Sequence, residues 1–420
     1  MPALALYYLP AVVLSGKYRR SLRGKLGRLP AGFSPERLPS PRAWFHAVSV
    51  GEVVALTPMV EAFRKLRPDA SVIVSTGTET GQDRARDMLP VLDGLIYLPL
   101  DFPWLVDPVV RRISPDLFVL METELWPNLI HSLKSAGTKV VLANGRISDR
   151  SFPRYLLFRR LFRSTLAAPD LFLMSSEVDR ERILAMGAAA EKVHVTGNTK
   201  FDAAFGDVPS DAEQQVRDLL GIPNGTRVLV AASTHPGEHE IVLDAYSMLR
   251  TAFPDLLLII VPRHVEKTPA IVAAMQDRRL PAPYLRSSAD RGETRNGRTG
   301  TIIDRTGELF RVFSVASVVF VGGSLVRKGG QNILEPAAWG KVVLFGPSME
   351  DFRDARDILL RCGAGIQVQG ASDLAAAVTR LLSEPERTTE TGALGRAEIL
   401  KHVGSAARNA RFLVECLDLE

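Results

Sequence analysis

Two α/β domains, each built on a parallel β-sheet, are what this sequence predicts, and three observations predict it. Short β-branched runs alternate with Gly/Ser/Thr/Asp turns and helix-like stretches through the first half of the chain. The same alternation restarts after the polar stretch FGDVPSDAEQQ. At 420 residues the chain exceeds one comfortable hydrophobic core. The expected organisation is a membrane-proximal segment over 1–30, a first Rossmann-like domain over 31–205, a second over 206–395, and a closing helix over 396–420.

In chain order, the N-terminus comes first. MPALALYYLPAVVLSG carries an apolar stretch of about 14 residues interrupted by Pro10, short of the ~20 that a spanning helix needs. Its cations (Lys17, Arg19, Arg20, Arg23, Lys25 and Arg28) follow the apolar part, opposite to a signal peptide. The segment therefore reads as an anchor lying on an anionic membrane surface. These six cations exceed the net charge of +5, so the basic character is terminal. A basic groove for nucleic acid is not expected. Hydrophobic content of 46% with 24% charged residues excludes a disordered chain. Two cysteines, Cys362 and Cys416, support neither a disulfide framework nor a metal cluster and fit a reducing compartment.

Seven strands are expected in the first domain: AWFHAVS, SVIVST, GLIYLP, DLFVLM, KVVLAN, DLFLMSS and KVHVTG. Ser49-x-x-Glu52 and Thr76-x-x-Glu79 both match a capping box. Glu52 thus reads either as a cap or as a base, since several carboxylates (Glu52, Glu122, Glu124) follow strands of one sheet. RSFPRYLLFRRLFRS, with Arg150, Arg154, Arg159, Arg160 and Arg163 and no acid, reads as a basic amphipathic helix for lipid or an anionic acceptor. An ordinary helix with snorkelling arginines is the other reading.

The second domain's strands are RVLVAAS, LLLIIVP, TIIDR, VVFVGG, VVLFG and GIQVQ, with SSADRGETRNGRTG as a surface loop. Its most specific stretch is FVGGSLVRKGGQNILEPAAWG. Gly322, Gly323 and Ser324 end a strand, and a second glycine pair precedes a helix expected near Asn332. Glycines admit close approach, and free N–H groups attract phosphate. Glu335 reads either as an acceptor for ribose hydroxyls or as a partner of an Asn332 cap. Arg263, following the apolar strand that ends at Pro262, falls at the sheet's carboxyl edge, where a guanidinium suits phosphate. His235 and His239 are four apart, but Pro236 and Gly237 break the register between them, so no metal site is expected.

The motifs HAVSVGE, STGTETG, METELWPNL, VTGNTKFD, ASTHPGE, PRH and GGSLVRKGGQNILEPAAWGKVVLFGP, in that order, together resemble the 3-deoxy-D-manno-octulosonic acid (Kdo) transferases of lipopolysaccharide synthesis. The resemblance covers most of the chain. It implies a GT-B fold, two Rossmann-like domains facing a central cleft, at the cytoplasmic face of the inner membrane. It implies an inverting transfer of Kdo from CMP-Kdo to a lipid A precursor, lipid IVA, with no cofactor and no metal. By the same resemblance Glu52 is the general base and Glu124 a second acid. Arg263, Pro262, Gly322, Gly323, Ser324, Asn332 and Glu335 would bind CMP. Asn198, Lys200, Ser49 and Gly51 would position the sugar acid or phosphate, and the five arginines would meet acceptor and membrane. Another GT-B nucleotide-sugar transferase, or a UDP-sugar epimerase, is the alternative.

Overall fold

The structure is a computed structural model that describes residues 19–123, 125–149, 151–157, 159–205, 209 and 211–419. It forms two compact units. One comprises the described residues through Ala203 together with Val403 onward, and the other comprises Ala204–His402.

The first unit holds a seven-stranded sheet of β1 (Arg42–Ala47), β2 (Ser71–Thr76), β3 (Gly94–Tyr97), β4 (Leu117–Met121), β5 (Lys139–Gly145), β6 (Leu171–Met174) and β7 (Val193–Val195). The strand order is 3-2-1-4-5-6-7, with every neighbour parallel. Strands covered on both faces read as unbroken apolar runs, which is why WF, VIV and LFVLM carry no polar alternation. Phe45, Val72, Val74, Val119 and Met121 face one core. Trp44, Ile73, Phe118, Leu120 and Phe172 face the other.

Among the helices used below, α1 is Arg19–Lys25, α2 is Val50–Leu66 and α3 is Glu79–Met88. The cap of α3 is Thr78, whose hydroxyl accepts from Gly81 N–H, so the box expected from Thr76 does not form. Thr76 donates instead to Gln82, and the Glu79 carboxylate accepts from the N–H groups of Arg20 and Ser21 at the start of α1.

The second unit repeats the scheme with β8 (Val228–Thr234), β9 (Leu257–Pro262), β10 (Tyr284–Leu285), β11 (Gly300–Ile302), β12 (Val318–Val321), β13 (Val343–Phe345) and β14 (Gly365–Gln367). The order is 10-11-9-8-12-13-14, again all parallel. Leu229, Ala231, Leu258, Ile260, Phe320 and Leu344 share a core with Tyr246, Leu249 and Val378 from flanking helices. Helix α4 (Glu238–Ala252) follows β8.

The segment expected as one closing helix over 396–420 is divided. One helix, Pro385–Leu400, belongs to the second unit. After Gly404, at a φ of 97°, α5 (Ser405–Asp418) runs along the first unit. There Ala410, Leu413 and Cys416 join the core beside α2.

Candidate active site

In each sheet the winding reverses beside the first strand of the unit, between β1 and β4 and between β8 and β12. Ligands of doubly wound sheets bind at the carboxyl edge near such a reversal. A candidate site lies at each of these edges.

In the first unit, β1 runs through Val48 to Ser49, the N-cap of α2. Ser49 Oγ accepts from Glu52 N–H at 3.4 Å. Glu52 Oε1 accepts from the Ser49 hydroxyl at 3.0 Å and Oε2 from Val48 N–H at 2.8 Å. This is a capping box shifted by one residue, since the carboxylate reaches the N–H preceding the cap rather than the cap's own. Glu52 is buried, while Gly51 beside it is exposed, and a Cβ there would meet nothing nearer than 4.0 Å. The next loop locks onto the same turn, with Gly77 N–H and the Thr78 hydroxyl donating to Val48 O.

Glu122 stands just past β4, on the same carboxyl edge as Val48 after β1, and its N–H donates to Ala143 O of β5. Glu122 has a φ of 56° and its carboxylate meets Lys200 Nζ at 3.0 Å. At the end of β5 Asn144, φ 52°, is buried; its Oδ1 accepts from Thr199 N–H at 2.9 Å, and its Nδ2 has no partner among the described residues. Asn198 Oδ1 accepts from Lys200 N–H at 3.0 Å. The GNTK segment therefore seats at the ends of β4 and β5, beside the Glu52 turn. Left-handed backbone at non-glycine residues costs free energy and gathers at functional sites. Two such residues stand on this one edge.

Glu124 and Arg150 lie outside the described residues. The basic segment forms helices Phe152–Leu157 and Arg159–Ala167, with Arg154 and Arg163 exposed; the side chains of Arg159 and Arg160 are not described. Arg182 lies over the Phe152 ring and pairs with Asp149.

In the second unit the Gly-Gly-Ser turn differs from the expectation of free N–H groups awaiting a phosphate. Gly322 N–H donates to Ala232 O at 2.8 Å. Gly323, Ser324 and Leu325 donate at 2.7, 3.0 and 2.9 Å to the carboxylate of Glu238, which also accepts from His235 N–H at 2.9 Å. Glu238 is fully buried at the start of α4, an internal anion occupying the nest that a phosphate would use. Gly322 has no room for a side chain, since a Cβ would come within 2.7 Å of Ser233 O and Glu238 Oε2. The two glycine pairs are tied together by Gly330 N–H to Gly323 O at 3.0 Å and Gln331 N–H to Gly322 O at 3.1 Å.

Just past β9 this edge presents both signs of charge, since the exposed Glu266 carboxylate stands 3.6 Å from His264 Nδ1. Arg263 is exposed just beyond β9, where Pro262 ends the strand, and its N–H donates to Thr234 O at 3.0 Å. His235 stacks edge-on against His264 at 5.8 Å, and its Nε2 lies 3.3 Å from Gln331 Nε2. Burial lowers the His235 pKa; the Glu238 carboxylate opposes this, while His264, Arg263 and Lys328 push it further down. Asn332 Nδ2 donates to Glu335 Oε1 at 2.9 Å and its Oδ1 accepts from Leu334 N–H at 3.0 Å, just ahead of the short helix Leu334–Ala338, whose N-cap is Ile333. His239 lies within α4 with both ring nitrogens buried and without a hydrogen-bond partner among the described residues. Among the described residues no group of three His, Cys, Asp or Glu is placed for a metal ion.

Sequence reasoning missed Glu238, and it considered His235 only as a metal ligand. Lys328 and Gln331 lay inside a quoted motif without a role. The signal available was the chemistry of PGEHE, an acid at a helix start directly after the first strand of a unit.

Residues 20–203 match the family model described as 3-Deoxy-D-manno-octulosonic-acid transferase (kdotransferase). The chain is 32% identical over 399 residues to a 3-deoxy-D-manno-octulosonic acid transferase of Haemophilus influenzae, covering 94% of this chain and 91% of that protein. It is 35% identical over 352 residues to a bifunctional glycosyltransferase/methyltransferase of Fusobacterium nucleatum, covering 83% of this chain and spanning about half (53%) of that protein. By fold it resembles a glycosyltransferase from Rickettsia africae, with a TM-score of 0.60, 12% identity, and coverage of 90% of this chain and 99% of that one. It likewise resembles the UDP-GlcNAc 2-epimerase of Neisseria meningitidis, with a TM-score of 0.58, 15% identity, and coverage of 90% and 99%. At such identities these two speak for the fold alone, two parallel-sheet α/β units of the GT-B class.

Proposed function

Because the chain belongs to the 3-deoxy-D-manno-octulosonic acid (Kdo) transferase family, we propose that it moves Kdo from CMP-Kdo to a lipid A precursor, with lipid IVA as the acceptor, in lipopolysaccharide synthesis. The single observation that carries the reading is the placement of Glu52. It is a buried carboxylate fixed by two hydrogen bonds at the turn after β1, beside the winding reversal of its sheet.

The step is a single displacement that inverts the anomeric carbon. A sugar hydroxyl of the acceptor attacks that carbon, the bond to the CMP phosphate breaks, and its electron pair leaves on the phosphate. Glu52 takes the hydroxyl proton as general base. A carboxylate has about four lone-pair sites, so cap and base duties are compatible on one side chain. The charge that develops on CMP falls to Arg263, His264 and Lys328 at the second unit's edge. Arg263 is the group best suited to bidentate phosphate contact. Gly322, Gly323 and Ser324 shape the turn beneath the nucleotide, and their N–H groups are spent on protein acceptors. Asn332 and Glu335 lie at the start of the helix Leu334–Ala338, which follows Gln331, whose N–H donates to Gly322 O. Lys200 and Asn198 position the sugar acid, with Ser49 and Gly51 framing the attack, and Glu124 is retained as a second acid of the first unit. Side-chain cations supply the charge at the donor, so turnover is expected to survive EDTA.

The location proposed is the cytoplasmic face of the inner membrane, with Arg150, Arg154, Arg159, Arg160 and Arg163 toward acceptor and lipid. Among the described residues no helix is long and apolar enough to cross a membrane. The test is purified protein with CMP-Kdo generated in situ and lipid IVA, reading CMP release and product mass together. CMP release coupled to a product heavier by Kdo is expected. Turnover of UDP-sugars instead would overturn the reading.

A further inference from the structure

The motif VTGNTKFD, residues 195–202, supplies Asn198 and Lys200 to the proposed site and leaves Thr196, Gly197 and Asp202 without a role. It joins the end of β7 to a short helix that begins at Thr199. Lys200 Nζ stands 3.0 Å from Glu122 Oε1, at the carboxyl edge of the first sheet. A lysine is a point charge on a flexible stem, so the backbone beneath it decides where that charge can stand.

Part of the hold on this backbone is nearby: Thr196 N–H donates to Met174 O at 3.0 Å, and Thr199 N–H to Asn144 Oδ1 at 2.9 Å. The rest comes from the first turn of α5, some 202 to 212 residues later in the chain. At the front of the segment Arg408 Nε donates to Thr196 O at 2.9 Å, while its Nη2 donates to Ser405 Oγ at 3.1 Å. At the back Asp202 Oδ1 accepts from Gly404 N–H at 2.8 Å, and the same carboxylate takes the Ala406 N–H. Gly404, the N-cap residue of α5, has no side chain to cap with, so Asp202 does it from outside the helix. Between these two ties Gly197, φ 90°, passes so close to α5 that a Cβ would collide with Ser405 Oγ.

Folding stability does not account for this joint. Apolar packing of Ala410, Leu413 and Cys416 already docks α5 on the core. Burial raises the Asp202 pKa in spite of the Gly404 and Ala406 N–H groups and the Arg408 charge, so at neutral pH the carboxylate is worse off folded than unfolded. Asp202 Oδ2, Thr196 Oγ1 and Asn409 Oδ1 are buried without a hydrogen-bond partner among the described residues, and a partly satisfied polar network destabilises. Features that cost stability and persist gather where function needs them. We propose that the first turn of α5, acting through Asp202 and Arg408, is the positioning element of Lys200. It fixes residues 196–202 at both ends, so that the ammonium is held where the carboxylate of the transferred sugar acid arrives. The proposal rests on the reading of Lys200 as the group that meets that sugar. Asp202 and Arg408 act through Lys200 and not on the substrate.

The test is a double-mutant cycle on the full chain, read as kcat/KM for CMP-Kdo at saturating lipid IVA, beside CMP affinity and urea unfolding. Lys200→Met should lower kcat/KM about 10- to 150-fold, the worth of a charge-assisted contact. Asp202→Ala and Arg408→Met should each lower it about tenfold, the scale of a misplaced group, with CMP affinity and the urea midpoint close to the parent's. Arg408 is exposed, so its variant keeps the core intact should Asp202→Ala fold poorly. Asp202→Asn keeps an oxygen for the Gly404 and Ala406 N–H groups and should retain most of the activity. On the Lys200→Met background the losses from Asp202→Ala and Arg408→Met should shrink to less than about twofold. Losses that carry over undiminished to that background overturn the proposal, because α5 would then act on the fold and not on Lys200. Parental kcat/KM in both Asp202→Ala and Arg408→Met also overturns it. Parental kcat/KM in Lys200→Met alone overturns the reading of Lys200 beneath it, a result separate from either of these.

Discussion

Glu52→Gln separates the two duties of one carboxylate. As a cap, Glu52 gives Oε2 to Val48 N–H and Oε1 to the Ser49 hydroxyl. Glutamine keeps one oxygen for Val48, and its amide can face Ser49 Oγ, since a hydroxyl turns to accept or donate. What is lost is the charge. A hydrogen bond to a charged group is worth about 1.5–3 kcal/mol and a neutral one about 0.5–1.5. A negative charge at a helix start adds about 0.3–1 kcal/mol. The folding cost is therefore on the order of 1–2 kcal/mol. A domain of this size should lose only some ~2–8 °C in Tm. As a base, glutamine accepts no proton, and turnover should fall about 10²–10⁴-fold. The assay is CMP release under saturating donor, beside thermal unfolding and CMP titration on the same preparation. Near-normal Tm and CMP affinity with turnover lost is the expected pattern. Retention of most of the activity refutes the base and leaves Glu52 a cap.

Three further outcomes follow from the geometry. Glu238→Ala strands four buried N–H groups, including those of Gly323, Ser324 and Leu325, and should cost about 3–5 kcal/mol in urea unfolding of the second unit; a midpoint within error of the parent would mean that the turn does not depend on it. Arg263→Ala should weaken CMP binding roughly 10- to 150-fold with circular dichroism unchanged, and unaltered affinity would move the phosphate elsewhere. His46 is moved by burial from 6.5 down to about 4, so the unfolded chain binds a proton there that the folded one refuses. Stability of the first unit should be complete above pH 6.5 and fall by about 3 kcal/mol toward pH 4, a slope that His46→Asn should flatten in urea unfolding followed across that range.

Why some of this was legible and some not comes down to how far apart the partners lie. The strands were readable because a doubly covered parallel strand must be apolar at every position, as in LFVLM. The exception is β10, two residues preceded by Pro281 and Pro283 at the sheet's edge, where no apolar run exists to be read. Capping is also local, yet the text alone chose wrongly at α3. Thr76 and Thr78 both precede a helix-like stretch, and Thr76 is drawn away by Gln82. Glu52 was singled out because its cap partners, Ser49 and Val48, are neighbours in sequence. Glu238 was not, because three of the N–H groups it holds are 85 to 87 residues away and no local pattern announces them. The same distance explains the misreading of Gly322, Gly323 and Ser324. The glycines correctly marked a turn that something negative approaches closely. The sequence could not show that the negative group is the protein's own, the Glu238 carboxylate.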